Sequence, residues 1–413
     1  NAAQTNAYLN AIFQTGFDDE AIDPWDNHQH KLTVGLSVNY DGYVEAAGGL
    51  GDEVIGVLGD EVRRLDRWEV TPGVFAEYTY TYKDKVTLLA GIREDYSSTY
   101  GFFTTPRMNV RFAPFEWWTL RGSVGLGYRS PNAIADNAAY LASNRDYLQF
   151  LPTDQMAISK AINLTQERSM NTGLSTVFYI PMGKRELQLS GEYYYTKFLD
   201  GVIADMDRNL QGITLYNMHD VDDAQYFSHN WQVEATMEIL RGWTMTAAFR
   251  YTDVKQTTFN TDANEYQLRD KPLQNKFKGI ITTSYQTPLK TWQFDLTAQF
   301  NGEGRMPDGF VVPEGSNQYR VLNNGQIYHK WYPQLLGQVT KFFRTWSIYL
   351  GAENMTNFTQ DNPIVGERFE VRSEKHAGFV NPQSASYDAS MIWAPIHGWK
   401  MYLGFRWALE REE

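Results

Sequence analysis

The chain has no cysteine among its 413 residues. That removes disulfide frameworks, thiolate metal sites and thiol nucleophiles, and by itself leaves the compartment open. It also has no excess of positive charge: 37 Lys and Arg stand against 49 Asp and Glu, a net charge of −12. A nucleic-acid partner held by a basic surface is not expected on that balance. No apolar run approaches the roughly 18 residues of a membrane helix, and mean hydropathy is −0.48. A membrane role would have to use strands or peripheral attachment. The opening residues, NAAQTNAYLN, show no initiator Met, no basic segment and no apolar segment. No signal peptide is read there, so either one was removed or the chain starts inside a longer polypeptide. G-x-S-x-G, H-E-x-x-H and phosphate-loop patterns are missing too, and no enzyme activity and no cofactor are expected.

What the chain has in quantity is aromatic residues: 12 Trp, 26 Tyr and 23 Phe. Tyr and Trp suit places with one apolar and one wet side. They sit at the ends of a recurring pattern. In WQFDLTAQF (292–300), Trp292, Phe294, Leu296, Ala298 and Phe300 alternate with polar residues, the period of a strand with one apolar face. The same period runs through 32–40, 73–82, 86–92, 119–128, 186–195, 231–239, 243–251 and 400–409.

The connections alternate in length. Short turns are read at 82–85, 113–116, 181–184, 240–242, 287–290 and 342–345. Long polar stretches are read at 43–68, 129–166, 253–275, 302–333 and 357–386. Short on one side and long on the other, with aromatic girdles, is the habit of an outer-membrane barrel. The fold class is therefore all-β, a transmembrane antiparallel β-barrel of which this chain supplies about fifteen strands. Lipid cannot hydrogen-bond a free N–H or C=O, so no open edge survives inside it. With short turns periplasmic, the last strand ends inside and the first segment, 7–14, begins outside. An even strand number is the rule for such barrels, so earlier strands are expected upstream and this chain is read as a C-terminal portion. PIHG (395–398) is read as a kink or bulge at the top of the last strand.

Three segments carry a resemblance. GYRSPNAIADNAAYLASNR (127–145), IYLGAENMTNFTQDNPI (348–364) and the ending HGWKMYLGFRW (397–407) resemble the corresponding strand-and-loop signatures of TonB-dependent outer-membrane receptors, in a Bacteroidetes-like variant. Met355 stands where that family usually has Leu, and Trp399 where it usually has Arg. The resemblance implies a 22-stranded barrel, an N-terminal plug domain and a TonB box; no segment here matches the plug or the TonB box. It implies import of a scarce nutrient, such as a ferric siderophore, haem or cobalamin, across the outer membrane. The partners it implies are outer-membrane lipid, TonB through the plug, and a small-molecule ligand; a lipoprotein capping the mouth is left open. The alternatives are a passive porin, an outer-membrane enzyme and a soluble β-sandwich.

Candidate site residues follow from the polar faces. Arg107, Arg111, Arg121, Arg129, Glu192, Glu234 and Arg250 face the lumen on this reading. They can steer an anionic chelate or grip a plug; the plainer reading, a lining that pairs with itself and the plug, is preferred. After Tyr128, Ser130 suits a helix N-cap and Pro131 a first helical position. Ile134, Ala138 and Leu141 then recur at helical spacing, and Asn132 and Arg145 become candidate ligand contacts on a loop helix. The acidic pieces FDDEAID (17–23), HDVDD (219–223) and the doubled GDEV (51–54, 59–62) lack the spacing of a calcium loop and read as solvated surface. His28 and His30 form H-x-H, but two ligands do not make a metal site.

Overall fold

The computed structural model describes residues 2–18, 28–45, 65–132, 135–143, 147–151, 164–208, 212–366 and 387–408. Arg145, both GDEV copies and most of FDDEAID lie outside the described residues. Strand accounts for 69% of the described residues, so the all-β reading holds.

One antiparallel sheet runs through fifteen strands in chain order. They are β1 (Ala2–Asp18), β2 (His28–Glu45), β3 (Leu65–Tyr82), β4 (Val86–Ser97), β5 (Gly101–Phe115), β6 (Trp118–Arg129), β7 (Glu167–Met182) and β8 (Arg185–Asp200). Then follow β9 (Tyr226–Leu240), β10 (Trp243–Asn260), β11 (Phe277–Gln286), β12 (Trp292–Asn301), β13 (Tyr332–Phe342), β14 (Trp346–Glu353) and β15 (Lys400–Trp407). Each strand pairs with its neighbour in sequence, as expected where short turns join them.

The register puts apolar residue opposite apolar residue from strand to strand. Leu36 pairs with Val74, Ala90 with Met108, and Met108 with Val124. Further round, Val233 pairs with Phe249 and Leu350 with Leu403. A one-residue slip anywhere would flip a whole strand, so the alternation fixes the pairing. The apolar set forms the outer face and stays exposed: Leu36 is 61%, Ile92 56%, Val233 52% and Leu403 70% accessible. The inner face is polar.

Aromatic rings gather at both ends of the outer face. At the short-turn end, Trp118 stacks on Phe178 and Phe343 on Trp346. His28 and His30 belong to this belt, each 2.6 Å through Nδ1 from a tyrosine hydroxyl, Tyr80 and Tyr78 respectively. At the other end, His229 stacks between Tyr193 and Trp231. The β3–β4 hairpin turns through Lys83, Asp84 and Lys85; Lys83 and Asp84 have φ of 47° and 53°, the positive pair that a type I′ turn requires.

The long-connection side differs from the sequence reading in four places. β4 and β5 are joined by a tight turn at 98–100. Much of 253–275 is strand: β10 continues to Asn260 and pairs with Glu265–Asp270. The 201–225 connection, not singled out by composition, carries two strands of its own. PIHG precedes β15, which begins only at Lys400.

The buried core sits in these connections, not between two sheets. Val202–Asp205 pairs with Gly212–Asn217, which pairs in parallel with Tyr147–Leu151. Gly304–Arg305 pairs with Ile327–His329, which also pairs with Tyr319–Val321. Met306, Phe310, Tyr319, Tyr332, Met391 and Trp393 form one apolar cluster; Leu164, Met206, Ile213 and Leu215 form another.

Candidate functional site

The loop layer is locked by buried charges drawn from three separate connections. The Asp207 carboxylate accepts from Arg305 Nη2 at 2.6 Å and Arg269 Nη2 at 3.0 Å. It also accepts the Asp308 backbone N–H at 2.9 Å. Arg269 Nη1 reaches Asp308 at 2.7 Å. Two guanidinium groups and two carboxylates therefore balance in a dry site, where a missing partner would be costly. Burial would push the Asp207 carboxyl up, but Arg305 and Arg269 hold it below the usual range. Burial, and then the Asp207 charge, raise Asp308. Among the described residues Asp205 makes no ion pair; burial pushes it up to about 6, against backbone N–H donors led by that of Phe259. His329 lies against Trp393 at 4.1 Å between ring centroids, and burial brings it down to about 4.

Beside this layer, at the long-connection end of the inner face, three cavities of about 390, 520 and 480 Å3 open side by side. The first is lined by Arg129, Glu167, Asp136, Lys271 and the stacked rings of Phe198 and Tyr226. The second holds Arg67, Arg93 and Arg129 together with Asp41, Glu69 and Asp95. The third lies along the wall and holds Arg93, Arg107, Glu77 and Asp95. Tyr128, read as the end of an apolar strand face, lines all three and stacks on Phe103 at 4.8 Å.

The arginines here are spoken for. Arg129 Nε meets Glu167 at 2.5 Å and its Nη1 meets Asp136 at 3.2 Å. Arg93 donates to Asp95 at 2.6 Å through both Nε and Nη2. Arg107 pairs with Glu77 on the inner face. Arg67 donates to the Pro131 carbonyl at 2.6 Å and to the Asn132 side chain, with its guanidinium over the Tyr43 ring. Burial pushes the Tyr100 hydroxyl, in the tight turn beside Arg67 and Glu69, up to about 12.

Of the residues expected from sequence, Arg107, Arg129 and Asn132 reach the cavities. Arg111, Arg121, Glu192, Glu234 and Arg250 lie on the inner face away from them. Their ladder register runs obliquely up the wall, Arg111 opposite Arg121, Glu192 opposite Gln232, and Arg250 opposite Lys278. The expected loop helix is a 3-10 helix, Ala135–Leu141, interrupted at Asn137. It starts beyond Ser130 and Pro131, because Asn132 and Asp136 bond to each other instead: Asp136 N–H donates to the Asn132 carbonyl, and Asn132 N–H to the Asp136 side chain. Sequence reasoning passed over Arg67, Glu69, Arg93, Asp95 and Glu167. R-E-D at 93–95 was the available signal, since residues 93 and 95 share a strand face.

The signature around Asn354 has a physical reason. Asn354 and Asn357 adopt φ of 49° and 53°, which asparagine tolerates. The buried Asn354 amide donates to the Phe358 and His397 carbonyls at 2.8 and 3.0 Å, and Asn357 accepts the Trp399 N–H at 3.1 Å. Together they tie the end of β14 to the approach to β15.

Comparison with known proteins agrees with this architecture. No curated protein sequence matches the chain. Among solved structures, it is similar to the siderophore receptor PirA from Pseudomonas aeruginosa, at 13% identity and a TM-score of 0.52, covering 86% of this chain and 55% of that one. It is also similar to a double mutant of the ferric enterobactin receptor PfeA from Pseudomonas aeruginosa, at 14% identity and a TM-score of 0.59, covering 97% and 54%. A third, P. aeruginosa FpvA bound to a heterologous pyoverdine, gives 12% identity, a TM-score of 0.56, and 98% and 48% coverage. The chain thus spans about half the length of the solved structures it matches. The family model described as TonB dependent receptor-like, beta-barrel, matches residues 1–355, and the chain belongs to that family.

Proposed function

We propose that this chain is the C-terminal wall and mouth of an outer-membrane TonB-dependent importer of a scarce nutrient, a metal chelate such as a ferric siderophore, haem or cobalamin. The observation that carries the reading is the outer face: ladder after ladder of exposed Leu, Ile, Val and Phe, bounded by aromatic belts. An apolar surface that extensive is stable only against hydrocarbon or another protein.

The remaining strands of the wall come from further polypeptide on this reading. β1 and β15 are unpaired at the ends of the sheet. Fifteen antiparallel strands leave β1 and β15 pointing the same way, so an all-antiparallel closure needs an odd number of added strands. Seven would reach the 22 of plugged outer-membrane transporters. The plug, TonB contact and energy coupling then belong to that further polypeptide, and the described chain does transport rather than catalysis.

The test is uptake of 55Fe-labelled chelates by iron-limited cells with and without the gene, and with and without a protonophore. Loss of uptake in both the deletion strain and the de-energised cells supports the importer. Uptake that needs the gene but ignores the protonophore, with steady conductance in planar bilayers, would instead establish a passive porin.

A further inference from the structure

We propose that the ligand taken at this mouth carries no net negative charge. Among the ferric siderophores of the metal-chelate class proposed above, on which this inference rests, that means a neutral ferric trihydroxamate-type complex rather than a ferric tricatecholate. Charge accounting among the described residues is the reason. Each of the three mouth cavities holds as many carboxylates as cations: two and two, three and three, two and two.

The cations are also already engaged. Arg129 is held by Glu167 and Asp136, Arg93 by Asp95, and Arg107 by Glu77. To grip an anion, any of them must release a carboxylate, which is then left unpaired in a partly dry cavity. No long-range field compensates, because the chain as a whole carries −12. Two further cations line the cavities and are held otherwise: Arg67 by the Pro131 carbonyl and the Asn132 side chain, and Lys271 on the Tyr226 hydroxyl, whereas Arg121, Arg250 and Lys278 are on the wall outside the cavities.

What the cavities do offer is neutral. Tyr8, Phe103 and Tyr128 line the cavities with aromatic rings, and Asn39 and Gln256 line them with amides. Such groups recognise uncharged, hydrogen-bonding surfaces. The chemistry of ferric chelates separates on this ground. Three bidentate monoanions, as in hydroxamates, cancel the 3+ of the metal; three catecholate dianions leave a trianion. Only the first matches a mouth whose charges are spent on each other.

The experiment measures binding by tryptophan quenching, with protein expressed from its complete gene and purified in detergent. The probes are a neutral ferric trihydroxamate and a ferric tricatecholate trianion of similar size. The neutral chelate should bind at least about tenfold tighter. Glu167→Gln and Asp95→Asn, each removing one carboxylate, should tighten trianion binding about tenfold. Comparable or tighter binding of the trianion by the native protein overturns the inference while the import reading stands. Failure of cells carrying the gene to take up any ferric chelate overturns the import reading, and this inference with it.

Discussion

Leu296 and Thr297 are adjacent in β12, yet they should respond oppositely to the same substitution. Leu296 is 43% accessible on the outer face, opposite Thr283 and Gly337. It is the fifth of ten residues in its strand. At a rise of about 3.4 Å per residue and a tilt of about 45°, it lies about 10 Å from the level of Trp292. In an apolar band about 25 Å tall that is close to the middle, where an Arg facing lipid costs about 2–4 kcal/mol. Thr297 points inward, its hydroxyl 3.3 Å from that of Thr282. Thr297→Arg loses one neutral hydrogen bond, about 1 kcal/mol, and gains an aqueous setting for its charge. Leu296→Arg should therefore be worse by about 1–3 kcal/mol in a urea titration of folding into lipid vesicles. Equal costs, or a larger cost for Thr297→Arg, would mean that the apolar face does not meet lipid, and the membrane reading would fall with it.

Three further outcomes follow from the geometry. Asp207→Ala strands Arg269 and Arg305 in a dry site and should cost about 3–5 kcal/mol locally; hydrogen exchange should rise across 202–218 and 304–308 while the wall stays protected. Asp205 and His329 should oppose each other in pH dependence. Asp205, raised from 3.8 to about 6, contributes stability that is full below pH 3.8 and lost as pH rises toward 6. His329, lowered from 6.5 to about 4, contributes stability that is full above pH 6.5 and lost as pH falls toward 4. Loop-layer stability should thus be nearly flat from pH 4 to 6.5; Asp205→Asn should make it rise with pH and His329→Phe make it fall, each by about 3 kcal/mol at most. A flat profile in both variants, read by the fluorescence of Trp393 in a single-tryptophan background, would reject both assignments. Finally, Tyr402 lies across Gly351 to reach Gln338 at 3.0 Å, and Tyr349 lies across Gly404. Gly351→Val should displace Tyr402 and cost about 1–3 kcal/mol in the same vesicle titration, whereas Gly122→Ala, with open space around it, should cost under about 0.5 kcal/mol.

The wall was legible in the sequence because each strand meets a different medium on each side, and that contrast prints a period of two. Leu36, Val74, Ile92 and Leu403 lie where the alternation places them. The mouth was less legible. Its core comes from short segments such as Ala204–Asp207 and Arg305–Asp308, too irregular to show a period, and its central ion pair joins residues 98 apart in sequence. The loop helix starts later than Ser130 and Pro131 suggest, because such capping residues occur outside helices too, and here Asn132 and Asp136 bond to each other just ahead of the 3-10 turn.

The arginines show the same limit most sharply. One strand read alone presents Arg107 or Arg129 on a polar face, and a row of such residues looks like a trap for anions. Charge, unlike hydropathy, is decided across the ladder and not along the strand. Glu167 stands directly opposite Arg129 in the register, and Glu77 reaches Arg107 from two strands away. Arg111 meets Arg121 instead, and Arg250 meets Lys278, directly opposed like charges that weaken a sheet wherever no anion joins them. The inner wall is therefore two surfaces: a mouth already neutralised by its own carboxylates, and a lower, oblique row in which Arg111, Arg121, Arg250 and Lys278 stand with Glu192 and Glu234. A reading that gives both the same task, capture of an anionic ligand, conflicts with the pairing at the first.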